Sequence, residues 1–215
     1  MRYIVLDTET TGLDPDDGHK IIEIGCIEIL NRNITSNTFH KYINPNRVID
    51  IEASKIHGLT NNVLKNKPVF EDVYPEFRKY ISNSPIIIHN APFDVGFLKK
   101  EHSIISTSDD FLSNEIIDSL KLARKISPGK KNTLDALCER YSIDNSDRTL
   151  HGALLDAKLL AFVYLKMTIG QNHFSNLSSE HNTNSSAKTV TDDDFKIIEP
   201  TDEDKELNLN YFNES

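Results

Sequence analysis

The chain lacks any apolar run long enough to cross a membrane. A transmembrane helix needs ~20 consecutive apolar residues, and the 215-residue sequence contains no run of that length. The apolar run at 3–6 is also far too short for the core of a signal peptide, and Asp7 interrupts it. We therefore predict a cytoplasmic protein with no membrane partner.

Cysteine is scarce as well, with two residues in the whole chain. Cys26 falls in an apolar, strand-like segment and Cys138 in a helical one. Unclustered cysteines of this kind are typical of buried free thiols in a reducing compartment. They argue against a disulfide framework and against a zinc site.

Basic residues are few at the C-terminal end. The formal net charge of the chain is −9. Residues 172–215 hold ten acidic and three basic residues, a charge of −7, whereas residues 1–171 hold 23 acidic and 21 basic residues, a charge of −2. The acidity therefore describes the tail, and it does not exclude a nucleic-acid substrate for the main body.

Residues 1–171 alternate between strand and helix patterns. Short β-branched or apolar segments predict strands, and these are 3–6, 20–30, 34–43 and 85–88. Helical spacing of apolar residues predicts helices, and these are 52–56, 69–81, 93–100, 133–141 and 152–167. The second and third strands are predicted to form a hairpin, and 116–126 combines a short strand with a helix. This order predicts an α/β domain with a mixed β-sheet flanked by helices.

The composition changes after Gly170. Residues 172–194 are rich in Ser, Asn, Thr and acidic residues, so we predict a flexible polar linker there. Residues 195–215 carry a small apolar motif beyond that linker, a pattern typical of a docking segment that folds on a partner. The predicted organisation is a catalytic domain at 1–171 with a flexible C-terminal tail.

Two carboxylates, Asp7 and Glu9, directly follow the first apolar strand segment. Side chains alternate between the faces of a strand, so this spacing puts both acids on the same side of the sheet. Two anions at that distance repel each other unless a cation lies between them. The pattern is weak alone because acids at strand ends are usually solvated, so other ligands are required.

Asp94, His151 and Asp156 are the candidates for those ligands. Asp94 falls in the first turn of a predicted helix, where an anion or a metal-linked acid is favoured, although an ordinary first-turn acid is the alternative. His151 and Asp156 are about 140° apart on a regular helix, so they do not share a face. We therefore place Asp156 inside the helix at 152–167 and His151 on the loop before it. The alternative is an Asp156 that flanks the apolar stripe and a surface His151.

Four such acids can hold two divalent cations ~3.5–4 Å apart, a separation used in phosphoryl chemistry. The acids are Asp7, Glu9, Asp94 and Asp156. Oxygen ligands suit Mg²⁺ or Mn²⁺, and the scarcity of thiols argues against zinc.

Several segments resemble the DEDDh exonuclease family, and within it the proofreading ε subunits of bacterial DNA polymerase III. The segments are Ile4–Gly12, Gly18–Gly25, His57–Gly58, Ile88–Asp94, Asp118–Leu120, Ala123–Lys125, Pro128–Lys130, Leu134–Cys138 and Arg148–Ala157. The resemblance implies an RNase H-like fold and a 3′→5′ exonuclease that hydrolyses DNA ends during replication and releases 5′-mononucleotides.

The resemblance also implies roles for individual residues. The metal-ligand positions are those of Asp7, Glu9, Asp94 and Asp156, with two divalent cations, and the general-base position is that of His151. Glu52 and His57 match positions that contact the terminal nucleotide, where Asp7, Glu9 and Asp156 also contribute to substrate binding. His89 and Asn90 are weaker candidates beside the site.

The partners implied by the resemblance are DNA 3′ ends and the polymerase α subunit, the latter through the C-terminal tail. The θ subunit and the sliding clamp are further candidates, and 171–177 is either a clamp-binding peptide or plain linker. The basic residues within 121–131 either support backbone phosphates or form a solvated face. An RNA-trimming relative and an inactive scaffold are the alternatives. The block at 148–157 disfavours the first, and the presence of all four acids and His151 disfavours the second.

Overall fold

The computed structural model describes residues 1–105 and 113–169. Within them lies one sheet, whose strands are β1 (Arg2–Thr10), β2 (Ile21–Leu30), β3 (Asn33–Tyr42), β4 (Ile86–Ile88) and β5 (Ile116–Asp118). Their spatial order is β3-β2-β1-β4-β5. β2 pairs antiparallel with β1 and β3, whereas β4 runs parallel to β1 and β5. The predicted mixed sheet is confirmed.

The helices cover both faces of this sheet. They are α1 (Ile51–His57), α2 (Asn61–Leu64), α3 (Phe70–Ile81), α4 (Ala91–Ile105), α5 (Ser119–Ile126), α6 (Leu134–Arg140) and α7 (Ala153–Met167). α3 and α4 bury Phe77 and Phe97 against one face, together with Ile4 and Leu6 of β1. α5, α6 and α7 pack on the other face, where Val5 lies. The alternation along β1 therefore divides the core into two layers.

Local chemistry explains several boundaries. The β2–β3 turn has positive φ angles at Asn31 (50°) and Arg32 (65°), the backbone of a type I′ hairpin turn. α6 has Thr133 as its N-cap, whose side chain accepts a hydrogen bond from the Ala136 N–H. α2 and a 3₁₀ turn at Pro15–Asp17 lie in segments for which the sequence predicted neither a strand nor a helix.

Cys26 and Cys138 are buried and free, as predicted. Among the described residues, no helix combines the length and apolar character that a membrane span requires. The predicted linker at 172–194 and docking segment at 195–215 lie outside the described residues.

Candidate active site

An open cleft of about 1380 Å³ lies at the carboxyl ends of the parallel strands β1 and β4. Every residue predicted from the sequence to form the site lines this cleft, and these are Asp7, Glu9, Glu52, His57, Asp94, His151 and Asp156. The weaker candidates His89 and Asn90 line it as well. Residues distant in sequence therefore converge on one surface.

Asp7 and Glu9 are delivered by a regular stretch of β1. Asp7 pairs with Gly25 and Glu9 with Glu23 on β2, and the register shifts only after Glu9. Because Val5 packs in the layer that contains α7, the alternation of the strand turns Asp7 and Glu9 towards that helix. The predicted same-face arrangement of the two acids follows from this register.

Asp156 reaches the site because α7 lies unusually close to the sheet. A Cβ atom on Gly25 would come within 2.2 Å of the backbone of Ala153 and Leu154, in the first turn of α7. The missing side chain at Gly25 therefore makes room for this turn beside Asp7. Asp156 follows in the same turn and is 3% exposed, which is the inward position that the helical period predicted.

Asp94 lies in the first turn of α4 and is fixed to β1 by Thr8. Its Oδ1 accepts hydrogen bonds from the Thr8 N–H (3.1 Å) and from the Thr8 hydroxyl (2.7 Å). Thr8 stands between Asp7 and Glu9 in the strand, so these two bonds hold Asp94 at the same strand end. Asp94 is 3% exposed, so it is a buried acid at the strand end.

His151 lies on the loop that ends at Gly152, the N-cap of α7. Its backbone N–H donates to the carbonyl of Ile56 in α1, and its side chain is 45% exposed. Its Nδ1 atom lies 3.3 Å from Oδ2 of Asp156. Glu9, His151 and Asp156 each offer one ligand atom within 4.8 Å of the others. The histidine is thus at the mouth of the cleft and next to its acids.

The acids strongly perturb one another. Burial raises the pKa of Asp7 well above its ordinary value, and the charges of Asp94, Glu9 and Asp156 raise it further. Burial, followed by the charges of Asp156, Glu23 and Asp94, raises the pKa of Glu9 to about 8. Burial also raises the pKa of Asp94 to about 7, against the lowering effect of the Thr8 hydrogen bonds. Without a compensating cation, Glu9 therefore retains its proton near neutral pH.

The ligand chemistry of the cluster fits a hard divalent cation. The donors are four carboxylates with one imidazole beside them, and neither cysteine lines the cleft. Burying several carboxylates together is unfavourable unless positive charge offsets them, and a bound cation reverses the effect on their pKa values. Oxygen donors in this number are typical of Mg²⁺ or Mn²⁺ sites.

Arg148 was not identified from the sequence as a functional residue, yet it contacts three side chains of the site. Nε donates to Oδ1 of Asp156 (2.6 Å) and Nη2 to Oδ2 of the same carboxylate (2.7 Å). Nη2 also donates to Nδ1 of His151 (3.0 Å), and Nη1 donates to Asp135 (2.5 Å). The available clue was that a buried Asp156 needs a partner, and sequence alone does not say which base supplies it.

Glu52 and His57 also line the cleft. Glu52 is exposed and pairs with Lys55 at 2.7 Å. His57 is buried, and its Nδ1 accepts a hydrogen bond from the Leu59 N–H, so Nε2 carries the proton of the neutral ring. Among the described residues Nε2 has no hydrogen-bond partner of acceptable geometry, although the nearby Thr10 carbonyl partly opposes the lowering of the pKa by burial. The Nε2 donor of His57 is therefore buried and only weakly partnered, by Thr10.

His89 and Asn90 follow β4. Nδ1 of His89 lies 2.9 Å from the hydroxyl of Ser119, and burial lowers the pKa of the ring. Asn90 adopts a positive φ of 66° immediately before α4. His89 is therefore tied to α5 rather than to the acids.

Comparison with known proteins assigns the chain to a family. The exonuclease family model (RNase_T) matches residues 4–164. The chain is 54% identical over 200 residues to the DNA polymerase III subunit epsilon of Buchnera aphidicola subsp. Schizaphis graminum, covering 89% of this chain and 86% of the relative. It is 52% identical over 176 residues to the same subunit of Escherichia coli K12, covering 79% and 72%.

A solved structure of exonuclease X with 5′-overhanging duplex DNA superimposes with a TM-score of 0.65 at 28% identity, covering 79% of this chain and 93% of that one. The predicted RNase H-like exonuclease fold is thereby confirmed. The chain belongs to the exonuclease family and, within it, to the DNA polymerase III epsilon subunits.

Proposed function

We propose that the protein is a metal-dependent 3′→5′ exonuclease that proofreads newly made DNA within DNA polymerase III. The observation that carries this proposal is the convergence of Asp7, Glu9, Asp94 and Asp156 at one strand end, with His151 at the mouth of the cleft. Membership of the epsilon family supports the DNA substrate and the replication setting.

The acids would hold two divalent cations, Mg²⁺ or Mn²⁺. Asp7, Glu9 and Asp156 would bind the first cation, and Asp7 and Asp94 would help to hold the second. Bound cations of this kind supply Lewis-acid stabilisation of the attacking water and the leaving oxygen. The strongly raised pKa of Asp7 supports its central position, because three neighbouring acids contribute to that rise.

His151 acts as the general base. Its imidazole takes a proton from the attacking water, whose oxygen forms a bond to phosphorus. The bond from phosphorus to the 3′ oxygen of the preceding nucleotide breaks, and that oxygen takes up a proton from solvent to become the new 3′-hydroxyl. The products are a 5′-mononucleotide and a shortened strand. Histidine suits this task because its ordinary pKa lies close to neutral pH. The exposed position of the side chain next to Asp156 supports this role.

Glu52 and His57 contact the terminal nucleotide, together with Asp7, Glu9 and Asp156. The weakly partnered Nε2 donor of His57, a residue that lines the cleft, supports this assignment. Arg124 and Lys130 also line the cleft and are suited to backbone phosphates. A mismatched terminus separates from its template at lower cost, so it reaches the cleft more often as a single strand.

The test replaces Asp7 and Glu9 together by Ala and follows the release of 5′-dNMP from a mismatched primer. We expect release to fall to background, because two of the four acids are gone. Asp72→Asn is the matched control, because Asp72 is an exposed acid on α3, which packs on the opposite face of the sheet. The activity of this variant should equal that of wild type. Undiminished release by the double variant would contradict the proposal.

The C-terminal tail delivers the enzyme to its place of action. Residues 195–215 bind the polymerase α subunit, and the linker at 172–194 gives the domain at 1–171 its reach. The θ subunit and the sliding clamp are further partners in this proposal. The protein acts in the cytoplasm. Deleting residues 190–215 should abolish co-purification with the α subunit while hydrolysis of short primers persists. Unchanged co-purification would show that the tail does not dock.

A further inference from the structure

We propose that Arg148 is a positioning residue that exchanges with the metal ions. Its guanidinium holds Asp156 and His151 while the site is metal-free, and it keeps only Asp135 once a cation takes Asp156. This inference rests on the proposed metal site. It goes beyond that site because it makes the guanidinium of Arg148 a positive charge that competes with metal ions for Asp156.

The contacts of Arg148 compete directly with metal ligation. Two N–H groups of one guanidinium engage both oxygens of Asp156, at 2.6 and 2.7 Å. Bidentate charge-assisted pairs of this kind are the strongest hydrogen bonds that side chains form. Both side chains are almost fully buried, 7% and 4% exposed, so water does little to weaken the pair. A cation can bind Asp156 fully only after this pair loosens.

A divalent cation bound by Asp156 would also repel the guanidinium directly. The two nitrogens of Arg148 lie 2.6 and 2.7 Å from the oxygens of Asp156, and like charges in a buried site repel strongly.

Asp135 gives the guanidinium a second partner. Nη1 donates to Oδ1 of Asp135 at 2.5 Å, and this carboxylate lies in the first turn of α6 with 58% of its side chain exposed. Arg148 can therefore leave Asp156 without becoming an unpaired buried charge. The strength of the Asp135 contact then helps to decide how readily Asp156 becomes free.

The same exchange affects His151. Arginine has no acceptor atom, so the 3.0 Å contact between Nη2 and Nδ1 is a hydrogen bond only in the tautomer of His151 that carries its proton on Nε2. In that tautomer Arg148 occupies Nδ1, and neither nitrogen is free to accept another proton. Departure of Arg148 from Asp156 frees Nδ1, so metal binding and release of the base are coupled.

The test measures Mn²⁺ binding by calorimetry on the complete chain without DNA, and melting in EDTA and in Mn²⁺. For Arg148→Gln we expect Mn²⁺ affinity to rise on the order of tenfold, which is the change expected from losing one competing charge-assisted contact. The melting temperature should fall in EDTA and recover in Mn²⁺. Arg148→Lys keeps the charge but not the two-pronged geometry, so its Mn²⁺ affinity should lie in between.

Asp135→Asn provides a second variant with the opposite sign. It removes the alternative partner of Arg148 and should weaken Mn²⁺ binding severalfold, because the guanidinium then depends more on Asp156. This variant also carries the test alone if Arg148→Gln does not fold. A residue that only supports the fold would lower both melting temperatures equally and leave Mn²⁺ affinity unchanged. Equal or weaker Mn²⁺ binding by Arg148→Gln, or tighter binding by Asp135→Asn, would overturn the inference.

The wild-type titration separates this inference from the proposed function. If wild type binds no Mn²⁺, the proposed metal site itself is wrong. If wild type binds Mn²⁺ and the Arg148 variants bind it equally, the metal site stands and the exchange is wrong.

Discussion

Glu9 and its neighbours show how much of the site depends on charge compensation. Burial raises the pKa of Glu9 from 4.5 to about 8, and the charges of Asp156, Glu23 and Asp94 add to the effect. The folded protein therefore binds a proton at Glu9 over a pH range in which the unfolded chain has lost it. When the folded state binds more protons, the free energy of unfolding falls as the pH rises. In the absence of metal, Glu9 therefore lowers the free energy of unfolding as the pH rises from acidic to neutral values.

Glu9→Gln isolates this contribution. In EDTA, we predict that the variant melts at nearly the same temperature as wild type at about pH 5 and at a higher temperature at about pH 8. The difference between the two proteins should grow through the window from 4.5 to about 8. The comparison with wild type is needed because burial lowers the pKa values of His57 and His89. These two residues therefore make the free energy of unfolding rise with pH, opposite to the effect of Glu9. Differential scanning calorimetry across this range measures the difference, and a difference that shrinks with pH would contradict the account.

His151→Ala tests whether His151 acts as the general base while the four acids act as the metal ligands. We predict that kcat falls on the order of 10²–10⁴-fold, the range associated with general acid–base catalysis. Mn²⁺ binding should persist because the four acids remain in place. Single-turnover kinetics and calorimetry on the same preparation measure both quantities. Loss of metal binding along with activity would show that His151 is a ligand and not the base.

The sequence predicted which acids and which histidine line the cleft, but it did not predict that Arg148 pairs with them. Asp7 and Glu9 follow an apolar strand at a spacing with a geometric meaning, and the helical period places Asp156 and His151. Arg148 lies in an irregular loop, where no period fixes its direction. An arginine there can pair with any nearby acid, so only the folded structure identifies Asp156 and Asp135 as its partners.

At the scale of elements, the position of α7 decides whether the site forms. The helix brings Asp156 to the sheet, and it approaches closely because Gly25 on β2 has no side chain. The glycine has no positive φ, so its role is steric rather than conformational. One missing methyl group on a neighbouring strand therefore positions a residue of the active site.

Gly25→Ala should push the first turn of α7 away from the sheet. We predict a loss of stability of about 1–3 kcal/mol, typical of overpacking, and a fall in Mn²⁺ affinity of at least about tenfold, an effect of similar energy. Chemical denaturation and calorimetry measure the two effects. Gly96→Ala is the matched control, because its added methyl would come no closer than 3.9 Å to Pro15. In the helix α4 that change should be neutral or slightly stabilising. Unaltered metal binding by Gly25→Ala would contradict the steric account.

The elements that the sequence predicted share a clear period or a long apolar run. The β2–β3 hairpin, α3 and α7 are of this kind. β1 continues to Thr10, beyond its predicted apolar part at 3–6, because its polar residues still pair with β2 through the backbone. The four-residue helix α2 was missed because one turn is too short to show a period. Backbone pairing and single turns leave little trace in side-chain patterns.

At the scale of the whole molecule, charge is distributed unevenly. Residues 1–171 are close to neutral although seven acidic residues line their cleft. The C-terminal 44 residues carry most of the net charge. A nearly neutral body can approach DNA once cations occupy its acidic cleft, and the basic residues at the rim assist. We therefore predict that DNA binding, and not only the catalytic rate, depends on the bound cations.

The most direct measurement is product analysis of the 215-residue chain on a primer–template with a mismatched 3′ end. The primer is labelled either at its 5′ end or in its terminal nucleotide, and the reaction is run in Mg²⁺ and in EDTA. We predict that the terminal label appears as a 5′-mononucleotide while the 5′-labelled strand shortens one nucleotide at a time, and that both stop in EDTA. Early release of the 5′ label, internal fragments, or equal rates in EDTA would contradict a metal-dependent 3′→5′ exonuclease.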